Sequence, residues 1–356
     1  MIFSQPLSPP TVVNLHGLKL AFQSPDQPLA DRFEAVYGHL PQLPPSPPHG
    51  EYYAGTFQEG TEPDVFVGWY IHHHQPIPQG DVPVAPQPLP EMPLLAAGDL
   101  VSYYGQGHLI SVRFPKYGLI TIDLRSSRLV GGVTLKCLEA YGVFEDVMMI
   151  TLAPLYRRRG WFPLHAFAGL SPAGKAALLT GQIGAGKTTT GLALLSAGWK
   201  LLSNDSPLLT LQDSRVQVLA YPGRLSAYDD SLARFAHLKR FMPSQAATGF
   251  NTPLLPQKRV FRAEEAFPDP WATMGKAGGL FFPRVAAGLD HSRLIPIPPK
   301  QALLELLPQG VESWDKEAIG QTLQLLRRLV EQAPSYILEL APDVEWLPKI
   351  IEAGMG

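Results

Sequence analysis

One stretch of eight residues constrains this chain more than any other: Gly181-Gln182-Ile183-Gly184-Ala185-Gly186-Lys187-Thr188. The apolar run Ala176-Ala177-Leu178-Leu179 leads into it. Thr189-Thr190-Gly191-Leu192-Ala193-Leu194-Leu195 leaves it with helical spacing until Gly198. The pattern predicts a strand, a glycine loop and a helix. Glycines let successive backbone N–H groups converge on an anion, and a helix N-terminus adds positive potential. A lysine at position 187 can reach the β- and γ-phosphates of a nucleotide, and the Thr188 hydroxyl can hold Mg²⁺. Gly181, Gly184, Ala185, Gly186, Lys187, Thr188 and Thr189 are therefore the candidate nucleotide-binding residues.

The rest of the composition narrows the class. With 356 residues the chain is long enough for two cores, and its formal charge of −2 gives no support to nucleic-acid or anionic-membrane binding. Cys137 is the one cysteine, which leaves no disulfide framework and no thiol-rich metal site. No basic segment followed by an apolar core opens the chain, and the longest apolar run, near residues 147–155, is too short to span a bilayer. A soluble cytoplasmic protein is the expectation.

Residues 1 to about 100 read as short β-segments between proline-rich loops at 41–48 and 76–93, with strands at 12–15, 18–22 and 64–71. His72-His73-His74 invites a metal reading, but adjacent residues in a strand point to opposite faces, so a solvated strand end is preferred. Residues 107–114 and 119–124 predict a hairpin, and 135–141 and 147–159 predict helices. Arg157-Arg158-Arg159-Gly160 suits a helix C-terminus. The boundary falls near 145–160 and gives a β-rich N-terminal domain, 1–150, of unknown role, and a nucleotide-binding domain, 151–356.

The second domain opens with a strand at 162–170, the turn Ser171-Pro172-Ala173-Gly174 and a strand at 175–180. A hairpin in that place gives the strand feeding the loop an antiparallel partner, so the sheet is expected to be mixed. Strands at 199–205, 206–211 and 216–221 follow, the first ending in Asn204-Asp205. Residues 228–241 predict a helix, 242–270 read as irregular, and 278–285 and 294–297 read as strands. Helices are expected at 300–307 and 316–332, the latter capped by Asp315, then a strand at 336–340 and a helix at 344–353.

The order His165-Ala166, hairpin, Gly184-Ala185-Gly186-Lys187-Thr188, Gly198-Trp199 and Leu201-Leu202-Ser203-Asn204-Asp205 resembles the P-loop domain of HPr kinase/phosphorylase. It is more similar to the wider set of HPr-kinase-like proteins, whose core is shared with ATP-dependent phosphoenolpyruvate carboxykinase. Phe282-Pro283-Arg284 and the stretch 333–343 also resemble that set, and the likeness covers roughly residues 155–343. Residues 1–150 do not match the N-terminal domain of true HPr kinases.

The resemblance implies an α/β fold with a C-terminal P-loop domain of HPr-kinase/carboxykinase type. It also implies transfer of the γ-phosphate of ATP, with Mg²⁺, to a hydroxyl. The acceptor would be Ser or Thr of a protein or peptide, or a small molecule; HPr kinases assemble as oligomers, which leaves a homo-oligomer open for this chain. Thr188 and Asp205 would hold the metal. His165 would reach the γ-phosphate or the acceptor, and Arg284, with Arg262, Lys258 and Arg224 behind it, would neutralise charge in the transition state.

Two positions depart from the family: Ile183, where HPr kinases have serine, leaves the backbone cradle intact, and the second bears on the chemistry. Asn204 stands where the first of two aspartates usually serves as base. Asn204 can cap a turn, or orient the acceptor while Asp205 or His165 takes the proton late. Alternatively the protein is a nucleotide-binding regulatory or assembly module with little transfer.

Overall fold

The computed structural model describes residues 9–43, 63–72, 92–98, 100–242, 246–247 and 258–356. His73 and His74, and most of the two proline-rich stretches, lie outside the described residues. Among the described residues the chain divides into two compact units, one up to Leu155 and one from Tyr156 to Gly356. Both are mixtures of helix and mixed sheet.

The first unit is built on strands β1 (Thr11–Leu15), β2 (Leu18–Gln23), β3 (Gln42–Leu43), β4 (Val65–His72), β5 (Leu94–Ala97), β6 (Ser102–Gln106), β7 (Leu109–Phe114), β8 (Gly118–Asp123) and β9 (Arg128–Thr134). They form one sheet in the order β3-β1-β2-β4-β9-β8-β7-β6-β5. It is antiparallel except where β4 pairs parallel to β2 and β9. Helices α1 (Gln27–Tyr37) and α2 (Lys136–Glu139) belong to this unit, and α3 (Val143–Arg158) follows.

Helix α1 falls where the sequence pattern read only β-segments. Pro28 sits in its first turn, where a missing N–H costs nothing, and Leu29, Phe33, Val36 and Tyr37 are its buried face. Phe33 stacks on Phe22 at 4.5 Å and on Tyr37 at 4.6 Å, while Trp69 meets Phe22 and Phe144 edge-on at 6.1 and 5.8 Å. The aromatic core, not local propensity, decides the conformation here. Cys137 is buried, and that burial, reinforced by Glu145, pushes its thiol far above the usual range, so it is an inert packing residue.

The second unit contains β10 (Phe162–Pro163), β11 (Ala166–Leu170), β12 (Lys175–Thr180), β13 (Lys200–Ser203), β14 (Leu208–Gln212), β15 (Arg215–Leu219), β16 (Leu225–Ala227), β17 (Ala246–Ala247), β18 (Lys258–Phe261), β19 (Met274–Val285), β20 (Arg293–Pro296) and β21 (Ser335–Leu340). Its helices are α4 (Lys187–Ser196), α5 (Asp229–Ala233), α6 (Ala263–Ala266), α7 (Pro299–Gly310), α8 (Lys316–Gln332) and α9 (Leu347–Ala353). The main sheet runs β10-β14-β15-β19-β12-β11-β13, with β21 against the far half of β19 and β20 outside it. β16, β18 and β17 form a separate small sheet.

The expected hairpin is present. β11 and β12 pair antiparallel, and their turn is closed by the Gly174 N–H donating to the Ser171 carbonyl at 2.9 Å, with Gly174 at φ 76°. β12 and β19 pair parallel, so the sheet is mixed. Both faces are covered, which the period-two alternation of the strands requires. Phe167, Ala177, Leu179, Phe281 and Leu338 join α4 and α9 in one core. Their neighbours Ala166, Ala168, Ala176, Leu178, Leu280 and Phe282 join α7 and α8 in the other.

Three local readings are corrected. Residues 228–241 are not one helix: α5 ends at Ala233 and a 3₁₀ segment, Ala236–Phe241, follows. The irregular stretch contains β18 and α6. Asp315 occupies the N-cap position of α8, but its side chain does not cap it. The carboxylate instead accepts from Arg157 Nη1 and from Arg158 Nη1 and Nη2, each at 3.2 Å. Two arginines at the end of α3 are therefore ion-pair partners rather than free helix-terminal charges.

Candidate active site

The topology carries one set of residues to one edge of the second unit's sheet. β12 ends at Thr180, and the 181–188 loop leaves from there into α4. Ala166, the first residue of β11, lies opposite Thr180, so His165 sits at the same edge. β13 is antiparallel to β11 and hence runs with β12, which brings Asn204 and Asp205 to that edge as well. The parallel strands β19 and β21 end there too. The carboxyl ends of parallel strands are where ligands of open α/β sheets bind.

Within the loop, Gly181, Gly184 and Gly186 have φ of 150°, 81° and 103°, backbone that side-chain-bearing residues rarely adopt. Gly186 is also walled in: a Cβ there would lie 2.3 Å from Leu340 Cδ1, and Pro283 Cβ stands 4.0 Å away. The ends of β19 and β21 thus form the back of the loop. Gly186→Ala is expected to meet both the strained φ and the Leu340 contact. A loss of about 1–3 kcal/mol, read as a lower urea midpoint, is the predicted result.

Lys187 begins α4, and its ammonium donates to the carbonyls of Gly181 and, at 3.3 Å, Gln182. Burial holds the ammonium below the usual lysine range, Asp205 pulls it back up, and Lys258 pushes it down again. Two residues on, the hydroxyls of Thr189 and Ser231 share a hydrogen bond of 2.8 Å. Ala185 and Thr188 sit in the same loop and first helical turn.

His165 and Asp205 form a pair. Nδ1 of His165 lies 3.3 Å from Oδ1 of Asp205, with 43% and 50% of the two side chains exposed, so both remain reachable from solvent. Their backbones are fixed: His165 N–H donates to the Gln309 carbonyl at 2.8 Å, and Ala166 N–H donates to the Asp205 carbonyl at 3.0 Å. Thr180 Oγ1 donates to the His165 carbonyl at 3.1 Å, which ties the histidine to the end of β12.

Asn204 does not close the turn after β13. Ser203 Oγ accepts from the Ser206 N–H at 3.1 Å and does so instead, while the Asn204 amide donates to the Arg224 carbonyl at 3.2 Å. Arg284 follows Pro283 at the end of β19, and its guanidinium is paired with Glu305 at 2.7 Å. Arg262 lies 3.7 Å from Glu264. The sequence pattern did not single out Ser231, Tyr228 or the pair of Arg259 with Asp229 at 2.8 and 2.9 Å. Nothing in local spacing links those positions to the loop.

The donor set suits phosphate: a glycine backbone, a helix N-terminus and Lys187 on one side, with the oxygen donors Thr188 and Asp205 available to a hard cation. Among the described residues, no group of three or more His, Cys, Asp or Glu side chains is disposed to hold a metal ion. Also among the described residues, no helix is long and apolar enough to cross a membrane.

No family model matches the chain, and no curated protein matches it. The chain is similar to the solved structure of the Hpr(Ser) kinase/phosphatase from Coxiella burnetii, with 13% sequence identity and a TM-score of 0.29, over 54% of this chain and 91% of that one. A likeness this distant carries no argument about the site.

Proposed function

We propose that this protein is an ATP-dependent phosphotransferase that moves the γ-phosphate of ATP to a hydroxyl, with Ser or Thr of a protein or peptide as the acceptor. The observation that carries the reading is the shared sheet edge: Lys187 in its glycine loop feels the charge of Asp205, and Asp205 lies 3.3 Å from His165. The order of these parts in the sequence, with a hairpin strand before the loop, supports a P-loop domain of HPr-kinase/carboxykinase type.

Phosphoryl transfer needs positioning and charge neutralisation more than covalent help from the protein. The N–H groups of the 181–188 loop and Lys187 would hold the phosphates, and Thr188 and Asp205 would hold Mg²⁺, directly or through water. Bound there, Mg²⁺ supplies neutralisation of the phosphate charge. His165, or Asp205 itself, would accept the acceptor's proton late in the reaction. Arg284 enters this scheme only if its pair with Glu305 opens.

A second reading is favoured by Asn204. An amide cannot take a proton, and this one is engaged with the Arg224 carbonyl. A nucleotide-binding regulatory or assembly module with little transfer would carry such a residue. The two readings separate in one assay, transfer from [γ-³²P]ATP with Mg²⁺ to a degenerate Ser/Thr peptide library. Wild-type transfer above a Lys187→Ala control is the expected result, with Asn204→Asp changing it by less than about tenfold. Transfer that emerges from background only in Asn204→Asp would overturn the phosphotransferase reading in favour of the module.

A further inference from the structure

Leu340, at the end of β21, stands against Gly186 of the phosphate loop, and what holds Leu340 in place comes from outside its own strand. The Ala286 N–H, just past the end of β19, donates to the Leu340 carbonyl at 3.1 Å. The Ala341 N–H donates to Ser292 Oγ at 2.9 Å. Both polar groups of the peptide that joins Leu340 to Ala341 are therefore gripped by the 286–292 connection.

Ser292 is itself fixed. β20 runs antiparallel to β21 with Arg293 opposite Glu339, which puts Ser292, one residue earlier, beside the end of β21. Its N–H donates to Oδ1 and Oδ2 of Asp343 at 3.1 and 3.0 Å, and its hydroxyl donates to Oδ1. A hydroxyl has one proton, so giving it to Asp343 leaves the lone pairs to accept from Ala341. His291 Nδ1 lies 3.5 Å from Oδ2 of the same carboxylate.

This is an unusual use of the aspartate. Asp343 stands at the N-cap position of the 3₁₀ segment Val344–Trp346, where its oxygens would ordinarily serve the following N–H groups, yet its side chain makes no cap. The carboxylate turns back to Ser292 instead. The contacts then run without a gap: Asp343 to Ser292, Ser292 to the peptide after Leu340, and Leu340 to Gly186, the residue before Lys187. Gly186 has a φ of 103°, so the backbone that this chain of contacts reaches is one that needs support. A loop that must aim several N–H groups at one anion gains affinity from being held in shape beforehand.

Resting on the phosphotransferase reading, we propose that Ser292 and Asp343 are positioning residues of the nucleotide site. They form a latch that holds Leu340 against Gly186 and so keeps the 181–188 loop in its phosphate-binding shape. Neither residue touches the nucleotide, and both act through Leu340.

Calorimetry on the full-length chain with Mg·ATP and Mg·ADP, read beside urea unfolding, tests this. Ser292→Ala and Asp343→Ala are each expected to weaken both nucleotides alike, by about five- to tenfold, because the apparent dissociation constant rises as the fraction of correctly shaped loops falls. The loss is shared because the loop amides serve the α- and β-phosphates, which both nucleotides carry. Leu340→Val lacks the δ-carbon that meets Gly186 and should weaken binding in the same way. Added to Leu340→Val, Asp343→Ala should then cost less than about a further twofold. Asp343→Asn keeps the side-chain shape and one acceptor oxygen, and runs the same cycle if Asp343→Ala does not fold. A lower urea midpoint with unchanged nucleotide binding makes the latch merely structural and overturns the inference. Normal binding by Leu340→Val, or an undiminished loss from Asp343→Ala in that background, overturns it as well. If the wild type binds neither nucleotide, the phosphotransferase reading falls first, and the inference with it.

Discussion

Replacing Lys187 with alanine is expected to lower phosphoryl transfer from Mg·ATP by about 10²–10³-fold, the range seen when one pre-organised donor to developing charge is removed. The expectation follows from where the ammonium sits. It is drawn in by two loop carbonyls, kept below its ordinary range by burial and stabilised by Asp205. An ammonium held in that way is strongly placed for an incoming anion, because phosphate oxygens replace carbonyl dipoles with full charges. The same variant also loses the internal contacts of the loop, so transfer must be read beside urea unfolding. A midpoint within experimental scatter together with lost transfer assigns the loss to the site. Retention of transfer within about threefold would remove Lys187 from the chemistry.

The largest expected effect on stability lies elsewhere in the same unit. Asp315 has 2% of its side chain exposed and Arg157 has 5%, and the aspartate bridges Arg157 to Arg158 while Arg158 reaches on to Glu317. Removing one partner of a buried pair leaves an uncompensated charge, so Asp315→Ala is expected to cost about 3–5 kcal/mol. For a unit of this size each kcal/mol moves the midpoint by roughly 2–4 °C, so a fall of roughly 6–20 °C should appear in a thermal scan. The double variant Arg157→Met with Asp315→Ala removes the more buried of the two stranded charges, leaving Arg158 to Glu317, and should recover part of the loss. A cycle in which the two substitutions simply add would mean that the pair is not coupled.

How much of this was legible in the chain depends on the range of the contacts involved. The hairpin before the loop, the helix after it, and α8 from Lys316 to Gln332 follow from local periodicity and turn chemistry, and the structure has them where the pattern put them. The Arg157, Arg158 and Asp315 cluster did not follow. Each residue has a sound local use, the arginines at the end of α3 and the aspartate at the head of α8, and only tertiary packing shows that they serve each other instead. Helix α1 was hidden for a similar reason, since its face is decided by Phe22 and Trp69 on strands of the sheet.

At the candidate site, the loop residues stand out in the sequence by type and spacing and Asp205 by ending a strand, whereas His165 is a candidate through the family resemblance. What spacing cannot reveal is what each of several cations meets. Arg284, Arg262, Arg224 and Lys258 are equivalent as letters. The structure separates Arg284, occupied by Glu305, from Lys258, carried to Tyr228 by a strand register. It also moves Asn204 from a turn-capping role to a tether on the Arg224 carbonyl, because Ser203 already closes that turn.

The wall that Leu340 makes behind Gly186 bears on how the protein is made. A chain leaves the ribosome from its N-terminus at about 5–20 residues per second. The 181–188 loop therefore emerges well before β21, the strand that backs it. Until Ser335–Leu340 has been synthesised and has docked beside β19, the loop lacks the Leu340 part of its backing. The wall behind Gly186 is therefore completed only at a late stage of translation.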